Sequence, residues 1–149
     1  FDSYPRTLEA DCARLSAGGA NLVFAPSVNE MYPNGQDNHV EVKLPHLANL
    51  LCGAHRPGHF DGVGTVVMKL FNIVAPDTAF FGEKDYQQLQ ILRIITQQLN
   101  VPLDVIGVPT VRADDGLALS SRNQYLSQSE REVAPLLHTT LQSIASAWR

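Results

Sequence analysis

The sequence predicts an α/β fold in which a parallel sheet is covered by helices on both faces. Helical patterns and short apolar runs alternate along the chain, in the order helix, strand, helix, strand, helix, with short links between them. Apolar strands of this kind are typical of parallel sheets, because helices bury both faces of such a sheet. The chain has 149 residues, of which 44% are hydrophobic, so it can bury a core of its own.

Three helices are predicted, two of them from the spacing of their apolar residues. The clearest covers residues 60–74, where an apolar stripe is expected to lie on the sheet. The members of the stripe are Val63, Val66, Val67, Leu70, Phe71 and Val74. A second helix covers residues 84–99. A third covers residues 8–17, where Thr7 can cap its first turn and two glycines follow its end.

Further helix starts are indicated by local signals. Two serines are followed three positions later by glutamate, which is the spacing of a capping box. The pairs are Ser27 with Glu30 and Ser127 with Glu130. The first box predicts only a turn, since Pro33 follows closely, and the second opens a last amphipathic helix within residues 127–149. Pro45 suits the first position of a short helix over residues 46–52, with Gly53 as its end.

Four short runs are typical of strands. They cover residues 21–25, 40–44, 78–81 and 104–108. Residues 40–44 alternate apolar and polar side chains, whereas the other three runs are mainly apolar or β-branched.

Composition and charge exclude several classes of protein. The formal net charge is −4 without a run of like charges, which disfavours a long nucleic-acid or membrane surface. No apolar run approaches the length of a transmembrane helix. Cys12 and Cys52 lie far apart and form no zinc or disulfide pattern, so a reducing cytoplasm is expected. The five histidines show no metal-ligand spacing, and no metal site is predicted.

Two segments carry groups that suit an anion, and both follow a predicted strand. In the first, Gly82 ends a strand and Lys84 stands at the start of a helix, where free N–H groups attract anions. In the second, Ser120 and Ser121 precede Arg122, which gives a compact set of donors for phosphate oxygens. Each segment alone is equally compatible with an ordinary solvated turn. Ligands of parallel sheets bind at strand carboxyl ends, which favours one shared site.

For other polar residues, the sequence does not distinguish a binding role from exposure to solvent. Arg56 and His59 lie in a loop and could meet a carboxylate, or simply face solvent. Gln87, Gln88 and Gln90 are read as the exposed polar face of their helix.

Together these stretches resemble the pantothenate synthetase (pantoate–β-alanine ligase) family. The matching stretches are YPRT at residues 4–7, RPGHFDGV at 56–63, FFGEKDYQQL at 80–89 and GVPTVRADDGLALSSRNQYL at 107–126. They follow one another in the family's order along nearly the whole chain. FGEKD followed by LSSRN is much more specific than either stretch alone.

The resemblance implies a Rossmann-like nucleotidyltransferase fold and an ATP-dependent condensation. In that reaction the carboxylate of pantoate attacks the α-phosphorus of Mg²⁺-bound ATP, giving pantoyl adenylate and pyrophosphate. The amine of β-alanine then attacks the adenylate, which releases pantothenate and AMP. Family members are commonly homodimers in the cytoplasm, and neither nucleic acid nor a membrane is an expected partner.

The resemblance also assigns roles to individual residues. Lys84, Ser121 and Arg122 are implied in catalysis, where they hold charge that develops on the phosphates. The residues implied in ATP binding are Gly82, Glu83, Lys84, Asp85, Val111, Leu119, Ser120, Ser121 and Arg122. Those implied near pantoate are Gln88, Val63, Val66, Val67, Arg56 and His59.

Two family features do not occur in the sequence, namely the HxGH motif and the VNPxQF segment. We therefore expect residues 1–149 to be part of a nucleotide-binding domain, with 127–149 leading toward a further domain, and to be inactive when isolated. Another nucleotidyltransferase of the same fold and a non-catalytic fragment are the alternatives.

Overall fold

The computed structural model describes residues 7–44 and 46–148. The chain divides into two compact units, Phe1–His39 and Val40–Arg149. Pro45 and most of the YPRT stretch, which both entered the predictions, lie outside the described residues.

The first unit contains helices α1 (Leu8–Ala17) and α2 (Val28–Met31). The bounds of α1 match the prediction, but Thr7 does not cap it: its hydroxyl donates to the Asp11 carboxylate at 3.1 Å instead. The capping box that begins α2 is confirmed. The Ser27 hydroxyl accepts from the N–H of Glu30 at 3.2 Å, and the Glu30 carboxylate accepts from the N–H of Ser27 at 2.7 Å.

The strand predicted over residues 21–25 is absent from the described structure. This stretch has no regular secondary structure, and Leu22 in its middle is 85% exposed. A strand depends on a neighbour that accepts and donates its backbone hydrogen bonds, and its own apolar composition cannot supply one.

The second unit is built around helix α3 (His59–Val74), strand β1 (Thr78–Gly82), helix α4 (Tyr86–Gln98) and strand β2 (Asp104–Val108). The two strands pair in parallel, in a register that runs from Thr78 opposite Asp104 to Gly82 opposite Val108. Helix α4 is the crossover between them. The predicted α/β class with parallel strands is confirmed.

Helices α3 and α4 pack on one face of this sheet. The buried core residues are Ala48, Phe60, Met68, Phe71, Ile91, Leu92 and Ile95. Ala79, Phe81 and Val105 point toward this core, whereas Phe80 and Ile106 alternate to the other side and are 66% and 43% exposed. The expectation of helices on both faces is therefore wrong for the described residues, which cover only one face.

The buried face of α3 is displaced around the helix from the predicted stripe. Phe60, Gly64, Met68 and Phe71 are buried, while Val74 is 53% exposed. Gly64 explains the difference, since a Cβ there would lie 3.0 Å from the Ile95 side chain. α3 thus approaches α4 through a glycine, which apolar periodicity does not count as a core position.

Residues 40–44 do not form the predicted strand. Side chains of α3 take the backbone donors that a neighbouring strand would use. Val42 N–H donates to the Thr65 hydroxyl at 2.9 Å, and Leu44 N–H donates to the Asp61 carboxylate at 3.0 Å. The following segment forms short 3₁₀ turns at His46–Asn49 and Gly53–His55, so Gly53 begins a turn instead of ending a helix.

The last predicted helix is divided in two. The Ser127 capping box begins α5 (Gln128–Val133) as predicted, and α6 (Leu136–Ala147) follows. Pro135 lies at the break, where its missing N–H and its ring would interrupt a continuous helix. Within the described residues, no helix combines the length and apolar character needed to cross a membrane.

Candidate active site

The two anion-binding segments predicted from sequence leave the sheet at the same edge. Gly82, the last residue of β1, is paired with Val108, the last residue of β2. The turn Glu83–Asp85 follows the first strand, and the segment that leads to Val111 follows the second. The parallel register therefore brings both to the carboxyl ends of neighbouring strands, where ligands of such sheets bind.

Lys84 stands in a tight turn between β1 and α4. Its ammonium lies 3.0 Å from the carboxylate of Asp85, and the two side chains are 35% and 61% exposed. An exposed ion pair of this kind contributes little stability, so the ammonium can exchange its partner for a phosphate oxygen at small cost. The turn thus supplies a cation that is positioned by its backbone but not locked by its contact.

Glu83 is held close to the neighbouring strand. A Cβ at Gly107 would lie 3.2 Å from the Glu83 side chain and 2.9 Å from that of Leu89. Glycine at position 107 lets the turn and the start of α4 approach the backbone of β2. The spacing between the first and second segments is therefore set by direct packing.

The second segment begins with a small hairpin. Leu119 N–H donates to the carbonyl of Val111 at 2.9 Å, and an antiparallel bridge pairs Arg112 with Ala118. The side chains of Val111 and Leu119 are 65% and 53% exposed. The base of the hairpin therefore offers adjacent apolar side chains, a surface that suits the plane of a nucleotide base.

The serine–arginine stretch follows the hairpin as a 3₁₀ turn, Ser121–Tyr125. The Ser120 hydroxyl accepts from the N–H of Arg122 at 3.2 Å, and the Asn123 amide donates to the carbonyl of Ala118 at 3.0 Å. Ser120 thus satisfies a backbone group, as expected of an ordinary solvated turn. Its own O–H group can still donate to a ligand. The Arg122 side chain is exposed.

His59 connects this turn to the Arg56 loop. Burial lowers the pKa of His59 below its ordinary value of 6.5, and the positive charges of Arg56 and Arg122 lower it further. The effect of Arg122 requires its guanidinium to lie in the neighbourhood of the imidazole. Charges from the RPGH and LSSR stretches thus act on the same imidazole, and they favour its neutral form.

Changing Arg122 to glutamine is expected to raise the pKa of His59 toward its ordinary value of 6.5, because one of the two cations that disfavour its protonation is removed. An NMR titration of the His59 ring measures this value. Arg93→Gln is a suitable control, since Arg93 donates to the carbonyl of Val105 and is not among the charges that act on His59. An unchanged His59 pKa in Arg122→Gln would show that the two groups are not neighbours.

The residues predicted near pantoate lie on α3 and α4. Val63, Val66 and Val67 are half-buried along α3, and Val67 also packs against the hydrophobic core. Gln88 is half-buried at the start of α4. These two helices contact each other, so the valines and the amide belong to adjacent elements, while direct contact with a ligand stays a prediction.

Two structural features of this region were missed from sequence. Gln87 was read as an exposed polar residue, but its side chain bonds to three backbone groups of residues 47–52. The hairpin tip is also braced, because Arg131 of α5 pairs with Asp115 at 2.5 Å and His138 of α6 lies against Gly116. These contacts join residues far apart in sequence, and no local pattern indicates them.

In the described part of the chain, no group of three or more acidic, histidine or cysteine side chains is arranged to hold a metal ion.

The sequence matches the model of the pantoate-beta-alanine ligase family over residues 1–148. The pantothenate synthetase of Pseudomonas putida (strain GB-1) is 60% identical over 146 residues, which cover 98% of this chain and 51% of that protein. That of Pseudomonas fluorescens (strain Pf-5) is 57% identical over all 149 residues and 52% of its own length. The chain thus spans about half the length of the curated relatives it matches.

Solved structures agree with the sequence match. The pantothenate synthetase of Thermus thermophilus superposes with a TM-score of 0.89 at 53% identity, over 94% of this chain and 50% of that one. The pantoate-beta-alanine ligase of Francisella tularensis, complexed with beta-gamma ATP and beta-alanine, gives 0.87 at 36% identity over 95% and 54%. These likenesses confirm the predicted nucleotidyltransferase-type fold. The chain belongs to the pantoate–β-alanine ligase family.

Proposed function

We propose that this protein is an ATP-dependent ligase that condenses pantoate with β-alanine to form pantothenate. The observation that supports the proposal is that the segments carrying Lys84 and Arg122 follow the paired carboxyl ends of two parallel strands in a chain of this family. The Francisella relative, crystallised with an ATP form and β-alanine, supports the choice of two of the substrates.

The reaction consists of one adenylyl transfer and one acyl transfer. A carboxylate oxygen of pantoate bonds to the α-phosphorus of ATP, and the bond to the bridging oxygen breaks, so that pyrophosphate leaves. The amine of β-alanine then bonds to the activated acyl carbon and loses a proton, and AMP leaves. Mg²⁺ enters with the nucleotide phosphates as part of the substrate.

The residues at the sheet edge suit the first step. Negative charge builds on the pyrophosphate as it leaves, and cations fixed at that position accelerate such transfers. We assign this role to Lys84 and Arg122, assisted by the hydroxyls of Ser120 and Ser121. We assign the nucleotide to the turn at Gly82, Glu83 and Asp85 and to the hairpin base at Val111 and Leu119.

The pantoate side is assigned to the adjoining helices. Its gem-dimethyl group suits the apolar side chains of valines 63, 66 and 67, and Gln88 offers an amide to its hydroxyl or carboxylate. We assign Arg56 to the carboxylate of pantoate. His59, kept neutral by its surroundings, adds a hydrogen bond without adding a further charge. The same family resemblance supports a cytoplasmic homodimer.

Exchange of labelled pyrophosphate into ATP tests the first step. The protein at the full length that its gene encodes is expected to catalyse this exchange only when pantoate is present. Labelled pyrophosphate can re-form ATP only by attacking pantoyl adenylate, and this adenylate does not form without pantoate. Exchange that proceeds without pantoate, or no exchange at all, would contradict the proposal. Other short hydroxy acids serve as controls for the substrate.

A further inference from the structure

The side chain of Gln87 fastens the start of α4 to a loop that lies far away in sequence. Its amide nitrogen donates to the carbonyls of Leu47 and Leu50, at 2.9 Å and 2.8 Å. Its amide oxygen accepts from the N–H of Cys52 at 3.1 Å. One side chain therefore satisfies three backbone groups of residues 47–52.

These contacts use the amide in a way that other residues cannot reproduce. Both N–H bonds of the amide point at carbonyl oxygens, and its own oxygen faces a donor. A glutamate of the same shape would turn a carboxylate oxygen toward two carbonyls. A methionine of similar length would leave all three backbone groups without this partner.

The loop that Gln87 holds leads to Arg56 and His59 through backbone hydrogen bonds between residues three positions apart. His55 N–H donates to Cys52, Arg56 N–H donates to Gly53 at 3.1 Å, and His59 N–H donates to Arg56 at 3.1 Å. Gly53 is buried, and a Cβ there would overlap the carbonyl of Ala48. Backbone hydrogen bonds thus connect the loop that Gln87 holds to Arg56.

We propose that Gln87 is a positioning residue that holds Arg56 at a fixed place relative to Gln88. Gln88 is the next residue of α4. The side chain that holds the loop and the side chain assigned to pantoate are therefore attached to consecutive residues of one helix. The inference rests on the proposed function, because it fixes the separation between two groups that would grip a single small acid.

The test compares Gln87→Met and Gln87→Glu in the full-length protein, assayed by pantoate-dependent pyrophosphate exchange. Both variants are expected to raise the KM for pantoate by about tenfold or more, since the loss of three hydrogen bonds releases the loop from α4. The KM for ATP is expected to stay unchanged. Agreement between the neutral and the charged variant separates lost hydrogen bonds from simple repulsion of the substrate. Gln97→Glu, an exposed position on the same helix, is the matched control.

Hydrogen exchange gives a readout that does not depend on activity. In Gln87→Met, the amides of residues 52–56 are expected to exchange faster, while those of β1 and β2 keep their protection. Unchanged exchange in residues 52–56 would overturn the proposal, and so would faster exchange with an unchanged KM for pantoate. If the unaltered protein shows no pyrophosphate exchange, the proposed function fails instead, and hydrogen exchange still decides whether Gln87 restrains Arg56.

Discussion

Changing Lys84 to alanine is expected to slow pantoate-dependent pyrophosphate exchange by roughly 10²–10³-fold, the loss typical of removing a fixed donor from developing negative charge. The ammonium stands at the carboxyl end of β1, and its ion pair among the described residues is an exposed one with Asp85. It can therefore exchange Asp85 for a pyrophosphate oxygen as the bond to the α-phosphorus breaks. Isotope exchange under saturating ATP and pantoate measures the effect.

The same substitution is expected to leave the fold intact, because Lys84 takes no part in the buried core. Lys43→Ala is the matched control, since Lys43 is also exposed and paired, with Glu41 and Asp61, but belongs to neither segment at the sheet edge. Its exchange rate should equal that of the unaltered protein. A Lys84→Ala protein that keeps full exchange activity would remove Lys84 from the mechanism.

Changing Leu92 to alanine is expected to destabilise the second unit by about 2–5 kcal/mol, the usual cost of a Leu→Ala cavity in a packed core. Leu92 is fully buried, at 0% exposed, in the layer between α4 and the helix and strands that it covers. Urea unfolding followed by circular dichroism measures the change in free energy of unfolding.

Leu99→Ala provides the comparison for this cavity, because Leu99 directly follows the same helix but is 54% exposed. Its effect should be a small fraction of that at Leu92. Equal losses at the two positions would mean that the layer around Leu92 is not the packed core described here.

Elements whose stability is local, or that lie within one βαβ unit, were predicted well. Strand β2 and helix α1 have the expected bounds, and both capping boxes form where their serines and glutamates predict them. Each of these signals acts within a few residues. The shared edge of the two predicted segments also followed from sequence, since consecutive strands joined by a helix pair in parallel.

The errors share one cause, namely partners that are distant in sequence. Residues 40–44 alternate like a strand. In the structure, however, the N–H groups of Val42 and Leu44 donate to Thr65 and Asp61 of α3 and not to a neighbouring strand. The α3 stripe was placed wrongly because Gly64, which has no side chain to count, makes the close contact with Ile95. Gln87 was read as solvated for the same reason. Composition shows that a group can bond, but only the fold shows with what.

Gly53 has a consequence for how this sequence can vary. The space for its side chain is taken by a backbone carbonyl, that of Ala48, and no rotamer change can vacate it. Gly62, by contrast, has open space around it and an ordinary backbone angle, so its hydrogen atom is not required by packing. Substitution of Gly53 by any residue with a side chain is therefore prevented by the chain's own backbone. If relatives also have glycine at position 53, the reason is this packing constraint. The glycine then carries no information about which substrate is bound.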